Sequence, residues 1–331
     1  MAKQALPSWL RTAGFVLLAA ILLAFAFNGV NLGEVWDTAK DANWAYIALS
    51  VSLGYFALLS RGKRWTLVLN HLGHKTPVWN AVHSIGIGYL VNMALPRAGE
   101  VARATALSNA QKTPLNVVLG TIIMERTIDL LLLLGLIGLT FIRASGELKE
   151  LLDLTQTEAA DEQAAGFPWG IALAVLLALG IFSAWLFRRR IQSSAIFLRF
   201  KAFLKGLMEG IRAVGQLPNQ WVYWGHTLFI WICYYAMVYV CFFALPSTAH
   251  LDLSEGLFIM VAASLGIVIP VPGGIGAYHY LVAMALVVLG LQYEEGLAFA
   301  TIVHAAQSLM LMFVGIIGFI GLSQKTKAIN G

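Results

Sequence analysis

The sequence predicts an all-α polytopic membrane protein of about eight transmembrane segments, two of them re-entrant or broken helices arranged as an inverted repeat. Three observations predict it. Of 331 residues, 59% are hydrophobic and only 12% charged, against roughly 45–50% and about 25% in soluble domains. Apolar runs recur at about 12–28, 44–60, 78–95, 115–141, 169–187, 221–245, 256–270, 277–291 and 296–322, and about 20 apolar residues suffice to cross a bilayer. The loops between the runs alternate in charge. The net charge of +5 collects in those loops, which excludes a nucleic-acid footprint, and no stretch fits a soluble catalytic domain. Cys233 and Cys241, inside one run, have no metal or redox spacing and read as small apolar residues.

Each element follows from its flanks. Lys3 and Arg11 precede the first run, and Ala24-Phe25-Ala26 imitates a signal-peptidase site, but the many runs that follow favour a retained helix. Glu34, Asp37, Lys40 and Asp41 form an acidic loop, and Arg61, Lys63, Arg64 and Lys75 a basic one. The loop at 143–167 is acidic, 188–212 is basic, Asp252, Glu255, Glu294 and Glu295 mark a second acidic side, and Lys325 and Lys327 close the chain. Basic loops stay cytoplasmic. That rule holds throughout only if run 78–95 enters from the cytoplasm and returns to it, with Arg97, Arg103 and Lys112 following. Runs 256–270 and 277–291 must likewise enter and leave from the outside. Six runs then cross fully, and both termini are cytoplasmic. Segment 191–216 reads as an amphipathic interfacial helix or a plain connector.

The two broken segments match each other. LVNMALPRAGEVARATAL (90–107) lies on SLGIVIPVPGGIGAYHYLV (264–282) with Pro96 against Pro270 and Gly99 against Gly273. Interrupted segments in opposite halves point to a transporter site near the midplane; two unrelated kinks are the alternative. The halves run from about 12 to 142 and from 169 to 322 within a single transmembrane domain, 1–331.

Several residues in these segments carry chemistry. In TIIMERTIDLLLL, Glu125 and Asp129 are one turn apart and Arg126 is within i,i+3 reach of Asp129. Each ion at the centre of a span costs about 2.5–3.5 kcal/mol on insertion scales, so three within five residues read as a site, or as an internal salt bridge that holds helices together. Pro96 and Gly99 stop the entering helix, and a new helix from about Glu100 presents a partial positive charge to anions. Arg97 and Arg103 add guanidinium groups suited to phosphate, or else snorkel to the headgroups; Glu100 can pair with either. Pro270 and Pro272 end the next half-helix, while Gly273, Gly274 and Gly276 allow positive φ and close approach of a ligand or a second backbone. His304 and Gln307 lie at i,i+3 on the last run. With His279 they lack a third ligand at metal spacing, so a hydrogen-bonded structural role is the alternative to a place in the cavity. Gly315, Gly318 and Gly321 form a small-residue stripe for helix packing.

Taken together, NMALPRAGEVARA, MERTIDLLL and PVPGGIGAYH resemble the lysylphosphatidylglycerol synthase transmembrane region family, the flippase-like membrane domain also present in the multiple peptide resistance factor of bacteria. The resemblance spans about residues 12–322. It implies that the family's usual residues fall on Asn92, Pro96, Arg97, Gly99, Glu100, Arg103, Glu125, Arg126, Asp129, Pro272, Gly273, Gly274 and Gly276. It further implies a multi-pass protein of the bacterial cytoplasmic (inner) membrane that moves, or helps to move, a lipid between leaflets. Two departures stand out. The chain carries no soluble synthase domain, so aminoacyl transfer is not expected. Val303-His304 also replaces an aromatic-Arg pair common on the last helix of relatives.

The expected function is therefore translocation of a phospholipid or polyprenyl-linked lipid. Substrate contacts are expected from Asn92, Arg97, Glu100, Arg103, Glu125, Arg126, Asp129, Gly273, Gly274, His304 and Gln307, with Pro96, Gly99, Pro270, Pro272 and Gly276 as structural breaks. No cofactor, metal or catalytic residue is expected. The expected partners are a membrane lipid, and a second copy of the chain or a separate lipid-modifying enzyme. The alternatives are a secondary transporter of a small solute and a membrane enzyme related to glycosyltransferases.

Overall fold

Caps and glycines set where the helices begin and end. The computed structural model of the protein describes residues 32–159, 208 and 211–330, with scattered positions between 17 and 26. Its helices are α1 (Leu32–Lys40), α2 (Trp44–His71), α3 (Val78–Ala94), α4 (Gly99–Gln111), α5 (Leu115–Ala159), α6 (Gln220–Phe242), α7 (Leu253–Val268), α8 (Ala277–Val288) and α9 (Tyr293–Asn330). A single 3-10 turn, Pro272–Gly274, joins α7 to α8. Among the described residues there is no strand.

Asn43 caps α2 by accepting from the Ala45 N–H, and Gly73 at φ 84° follows its last turn. Asp252 and Glu255 form a reciprocal capping box at the start of α7. Proline precedes or enters several elements: Pro77 before α3, Pro114 before α5 and Pro272 at the 3-10 turn.

Among the described residues three helices are long and apolar enough to cross a membrane: α2, α6, and α9 over Tyr293–Lys325. The chain is a multi-pass membrane protein. Helices α3, α4, α7 and α8 have 17, 13, 16 and 12 residues. At 1.5 Å per residue they reach only about 18–26 Å, against a hydrocarbon core of ~30 Å.

The chain forms two units, one of Met1–Arg126 with Val214–Gly331 and the other of Thr127–Ala213. In the first unit α2 lies antiparallel to α6. Asn43 N–H bonds the Ala244 carbonyl, Ser50 Oγ donates to the Met237 carbonyl, and Ser60 Oγ sits 2.9 Å from His226 Nδ1. Leu58, Trp65 and Leu69 of α2 bury against Ala81, Val82 and Ile85 of α3, Leu107 of α4, and Val118 and Ile122 of α5. The second unit holds, among its described residues, α5 from Thr127 onward.

Small residues bring α3 and α9 together. A Cβ on Gly318 would lie 2.5 Å from the His83 carbonyl oxygen, and one on Gly315 would lie 2.7 Å from that of Gly86. The expected glycine stripe is thus a packing seam, as small residues are between membrane helices. Gly318→Val is expected to destabilise the detergent-solubilised protein by about 1–3 kcal/mol, read from its unfolding in a denaturing detergent. Exposed Gly120, with open space around its Cβ position, is the control and is expected to tolerate Ala.

Three expectations change. The basic stretch 61–71 is not a loop: RGKRWTLVLNH holds no proline, its one glycine, Gly62, packs closely on Val82, and α2 continues to His71. The acidic loop expected from residue 143 is helical to Ala159, and most of the expected acidic loop before α2 is helix α1. Run 169–187 and nearly all of segment 191–216 lie outside the described residues.

Candidate functional site

The site is built around Glu125 of α5, whose side chain is only 4% exposed. Its Oε1 accepts from Arg61 Nη2 at 2.5 Å and from Arg126 Nη2 at 2.7 Å. Arg64 Nη2 lies 3.5 Å from the same oxygen, and Arg103 Nη1 lies 3.5 Å from Oε2. Glu100 provides a second carboxylate, 2.6 Å from Arg103 Nε and 3.7 Å from Arg126 Nε. The 2.6 Å contact is an ion pair and not a well-aligned hydrogen bond, since neither atom has a hydrogen-bond partner by geometry.

Helix periodicity explains the convergence. Arg61, Arg64 and Trp65 share one face of α2, three and four residues apart. Glu100 and Arg103 are an i,i+3 pair in the first turns of α4, and Glu125 faces inward from α5. Each buried arginine also lies on an aromatic ring: Arg61 on Tyr89 (5.6 Å), Arg64 on Tyr223 (5.5 Å) and Arg103 on Trp65 (5.0 Å). These are cation–π distances. Tyr89 additionally hydrogen-bonds Arg61 through its hydroxyl, Trp65 Nε1 donates to Thr121, and Arg64 Nη1 donates to Thr227.

Among the described residues of the first unit, ion pairs join four guanidinium groups to two carboxylates, Glu125 and Glu100. Arg61, Arg64 and Arg103 are buried, while Arg126 and Glu100 are 41% and 36% exposed at their side chains. The opening of the cluster is therefore at Arg126 and Glu100. Arg103 Nη2 is buried with no hydrogen-bond partner. Buried guanidinium groups are costly unless anions and hydrogen-bond acceptors satisfy them. Asp129 belongs to the second unit.

The other expected residues sit at the two helix breaks. Asn92 Oδ1 accepts from the Gly99 N–H at 2.8 Å, so the end of α3 holds the start of α4. A Cβ on Gly99 would collide with the Gly88 carbonyl oxygen and lie 2.6 Å from the Asn92 side chain. Gly99→Ala is accordingly expected to force α3 and α4 apart at a cost of about 1–3 kcal/mol, measured as a lower unfolding midpoint. Pro96 lies in the turn between these helices. Arg97, also in that turn, has φ 65° and is exposed; no ion pair joins it to the arginine cluster among the described residues.

At the second break Gly273, Gly274 and Gly276 have φ of 60°, 77° and 83°, the left-handed region glycine tolerates. Pro270 ends α7. His304 Nε2 donates to the Gly273 carbonyl at 2.9 Å, and His279 Nδ1 accepts from the Gly276 N–H at 3.2 Å. Both histidines thus hold the turn in place. The two breaks face each other: α3 packs on the 3-10 turn, with Met93 Cα 3.9 Å from the Cβ position of Gly273. Gln307 belongs to neither break. Its Nε2 donates to Ser50 of α2 at 2.9 Å. Among the described residues no group of three His, Cys, Asp or Glu could hold a metal ion.

Arg61, Arg64, Trp65 and Tyr89 are the members of this cluster that composition and run length conceal. Their signal was available in the spacing. Leu58, Arg61, Trp65 and Leu69 continue one apolar stripe through the charged stretch, and a solvated loop would show no such period.

The family described as lysylphosphatidylglycerol synthase TM region matches residues 12–315. The glycosyltransferase AglD of Haloferax volcanii is 22% identical over 335 residues, covering 93% of this chain and 54% of that protein. The chain therefore spans about half the length of this curated relative.

Proposed function

We infer a function from an established premise: the chain belongs to the lysylphosphatidylglycerol synthase transmembrane region family. It carries the phosphate-bearing headgroup of a lipid between the leaflets of the membrane. One observation supports this reading above the others, namely the convergence of Arg61, Arg64, Arg103 and Arg126 on Glu125, with half-exposed Arg126 and Glu100 at its edge. Guanidinium groups suit phosphate oxygens through paired N–H donors.

The reading takes the eight-segment topology as its frame, with both termini on the cytoplasmic side of a bacterial inner membrane and the two halves forming one domain. The broken pairs α3–α4 and α7–α8 are each too short to cross alone, and their facing turns would let backbone line a polar path at depth. Arg61 and Arg64 lie about 26 and 30 Å along α2 from Trp44, by the rise per residue, and so toward the basic-loop end of the bundle, where a headgroup from the inner leaflet would arrive first. Arg126 and Glu100, the half-exposed members, make first contact. Arg103, with its unpartnered Nη2, takes the phosphate as it moves inward.

Purified protein in vesicles is expected to accelerate leaflet exchange of a fluorescent phosphatidylglycerol over protein-free vesicles. Competition by unlabelled anionic lipid, but not by inorganic phosphate in the medium, separates a lipid carrier from a solute transporter. No acceleration, with correct insertion, sinks the proposal. The Haloferax relative, a glycosyltransferase by name, favours a second reading, a role beside sugar transfer to a lipid phosphate. It uses the same arginines, and sugar transfer by the purified chain to a lipid phosphate would establish it.

A further inference from the structure

On the outer face of the α2–α6 pair lies a shallow, open groove of about 720 Å³. Its walls are Phe56 and Leu59 of α2, Val78 and Trp79 of α3, and Val222 and Phe229 of α6. Phe56, Trp79, Val222 and Phe229 are exposed at 46–58%, so the walls face whatever surrounds the bundle. Polarity is not spread over this surface. It is confined to Ser60 hydrogen-bonded to His226, and to Lys63.

The antiparallel register places these parts along the membrane normal. Ser50 meets Met237, and Ser60 meets His226, so Phe56 and Phe229 lie at the deep end while Lys63 and Val222 lie together at the other. Lys63 is about 28 Å along α2 from Trp44 at 1.5 Å per residue, close to the ~30 Å of the hydrocarbon core. Exposed Trp44 at one end, and exposed Trp79 and Trp221 at the other, mark two aromatic belts of the kind found at membrane interfaces. The groove therefore has the polarity of a lipid, with a cationic end at headgroup level and an apolar end below it. Lys63 is exposed and has no ion pair among the described residues, and no acidic residue lines the groove.

We propose that this groove is a docking site for an anionic phospholipid, whose phosphate rests on Lys63 and the Ser60–His226 pair while an acyl chain lies between Phe56 and Phe229. Arg61 and Arg64 flank Lys63 on the same turn of α2 but face inward, so the site stands one helix face from the arginine cluster and supplies lipid to it. The supply role rests on the transport reading; docking itself does not.

The test is photolabelling of the intact protein in nanodiscs with phosphatidylglycerol carrying a diazirine in one acyl chain. Label is expected on residues 56–63 and 222–229, falling about fivefold in Lys63→Gln, the loss of ~1 kcal/mol that one interfacial cation supplies. Phosphatidylcholine should compete poorly, and the unfolding midpoint of the variant should match that of the unmodified protein. Label spread evenly over exposed α9 positions such as Phe313 and Phe319, and unchanged by Lys63→Gln, overturns the proposal as ordinary annular lipid. Groove labelling by a protein that exchanges no lipid sinks the transport reading and keeps the docking site. Exchange without groove labelling does the reverse.

Discussion

Replacing Glu125 with Gln is expected to lower the stability of the detergent-solubilised protein by about 3–5 kcal/mol, the usual cost of removing one partner from a buried charge pair. Glu125 holds Arg61 and Arg126 by hydrogen bonds at 2.5 and 2.7 Å and stands 3.5 Å from Arg64 and Arg103. The amide keeps the volume and one acceptor oxygen, but it turns two N–H donors toward guanidinium groups that can only donate. The four guanidinium groups then lose the carboxylate on which they converge. Adding Arg61→Met to Glu125→Gln is expected to recover part of the loss, because it removes one of the stranded charges. A loss under ~1 kcal/mol for the single variant would mean that water, and not Glu125, satisfies the arginines, as at an exposed pair.

Arg126→Gln should do the opposite: leave stability nearly unchanged and stop transport. The Arg126 side chain is 41% exposed, so its ion pairs with Glu125 and Glu100 contribute little to folding. At the mouth of the cluster, however, it is the guanidinium a headgroup meets first. Losing a charge-assisted contact to phosphate costs about 2 kcal/mol or more, so leaflet exchange of phosphatidylglycerol is expected to fall about 30-fold or further. Arg126→Lys keeps the charge without the two-pronged geometry and should fall between. Dithionite quenching of labelled lipid in vesicles reads all three proteins. Exchange by Arg126→Gln at the unmodified rate removes this residue from the path.

What the sequence discloses, and what it hides, divides along a physical line. Local chemistry is legible. Pro96 and Gly99 end α3 and start α4, Pro270 and Pro272 bracket the second turn, and positive φ falls on Gly273, Gly274 and Gly276. Glu125 and Arg126 stand out because ions are expensive in an apolar helix. Partnership over long distance is not legible. Arg61 and Arg64 end an apolar run and so read as a cytoplasmic loop, yet both are buried in α2 by a carboxylate 64 and 61 positions away. Charge alone cannot tell a snorkelling arginine from one paired inside. Gln307 shows the same limit: its partner Ser50 lies 257 positions away, so the bond that joins α9 to α2 is not legible in the sequence. Arg97, beside Pro96, carries the same charge as Arg103 but projects from the turn, whereas Arg103 lies three residues after Glu100 on the inward face of α4.

The central claim is that the arginine cluster holds a lipid phosphate. Native mass spectrometry of the protein released from detergent micelles tests it most directly. A retained phosphate-bearing lipid is predicted on the unmodified protein, with occupancy falling at least tenfold in Arg126→Gln and in Arg103→Gln and unchanged in Gly120→Ala. Equal occupancy in all four proteins, or retention of uncharged lipids alone, would contradict it.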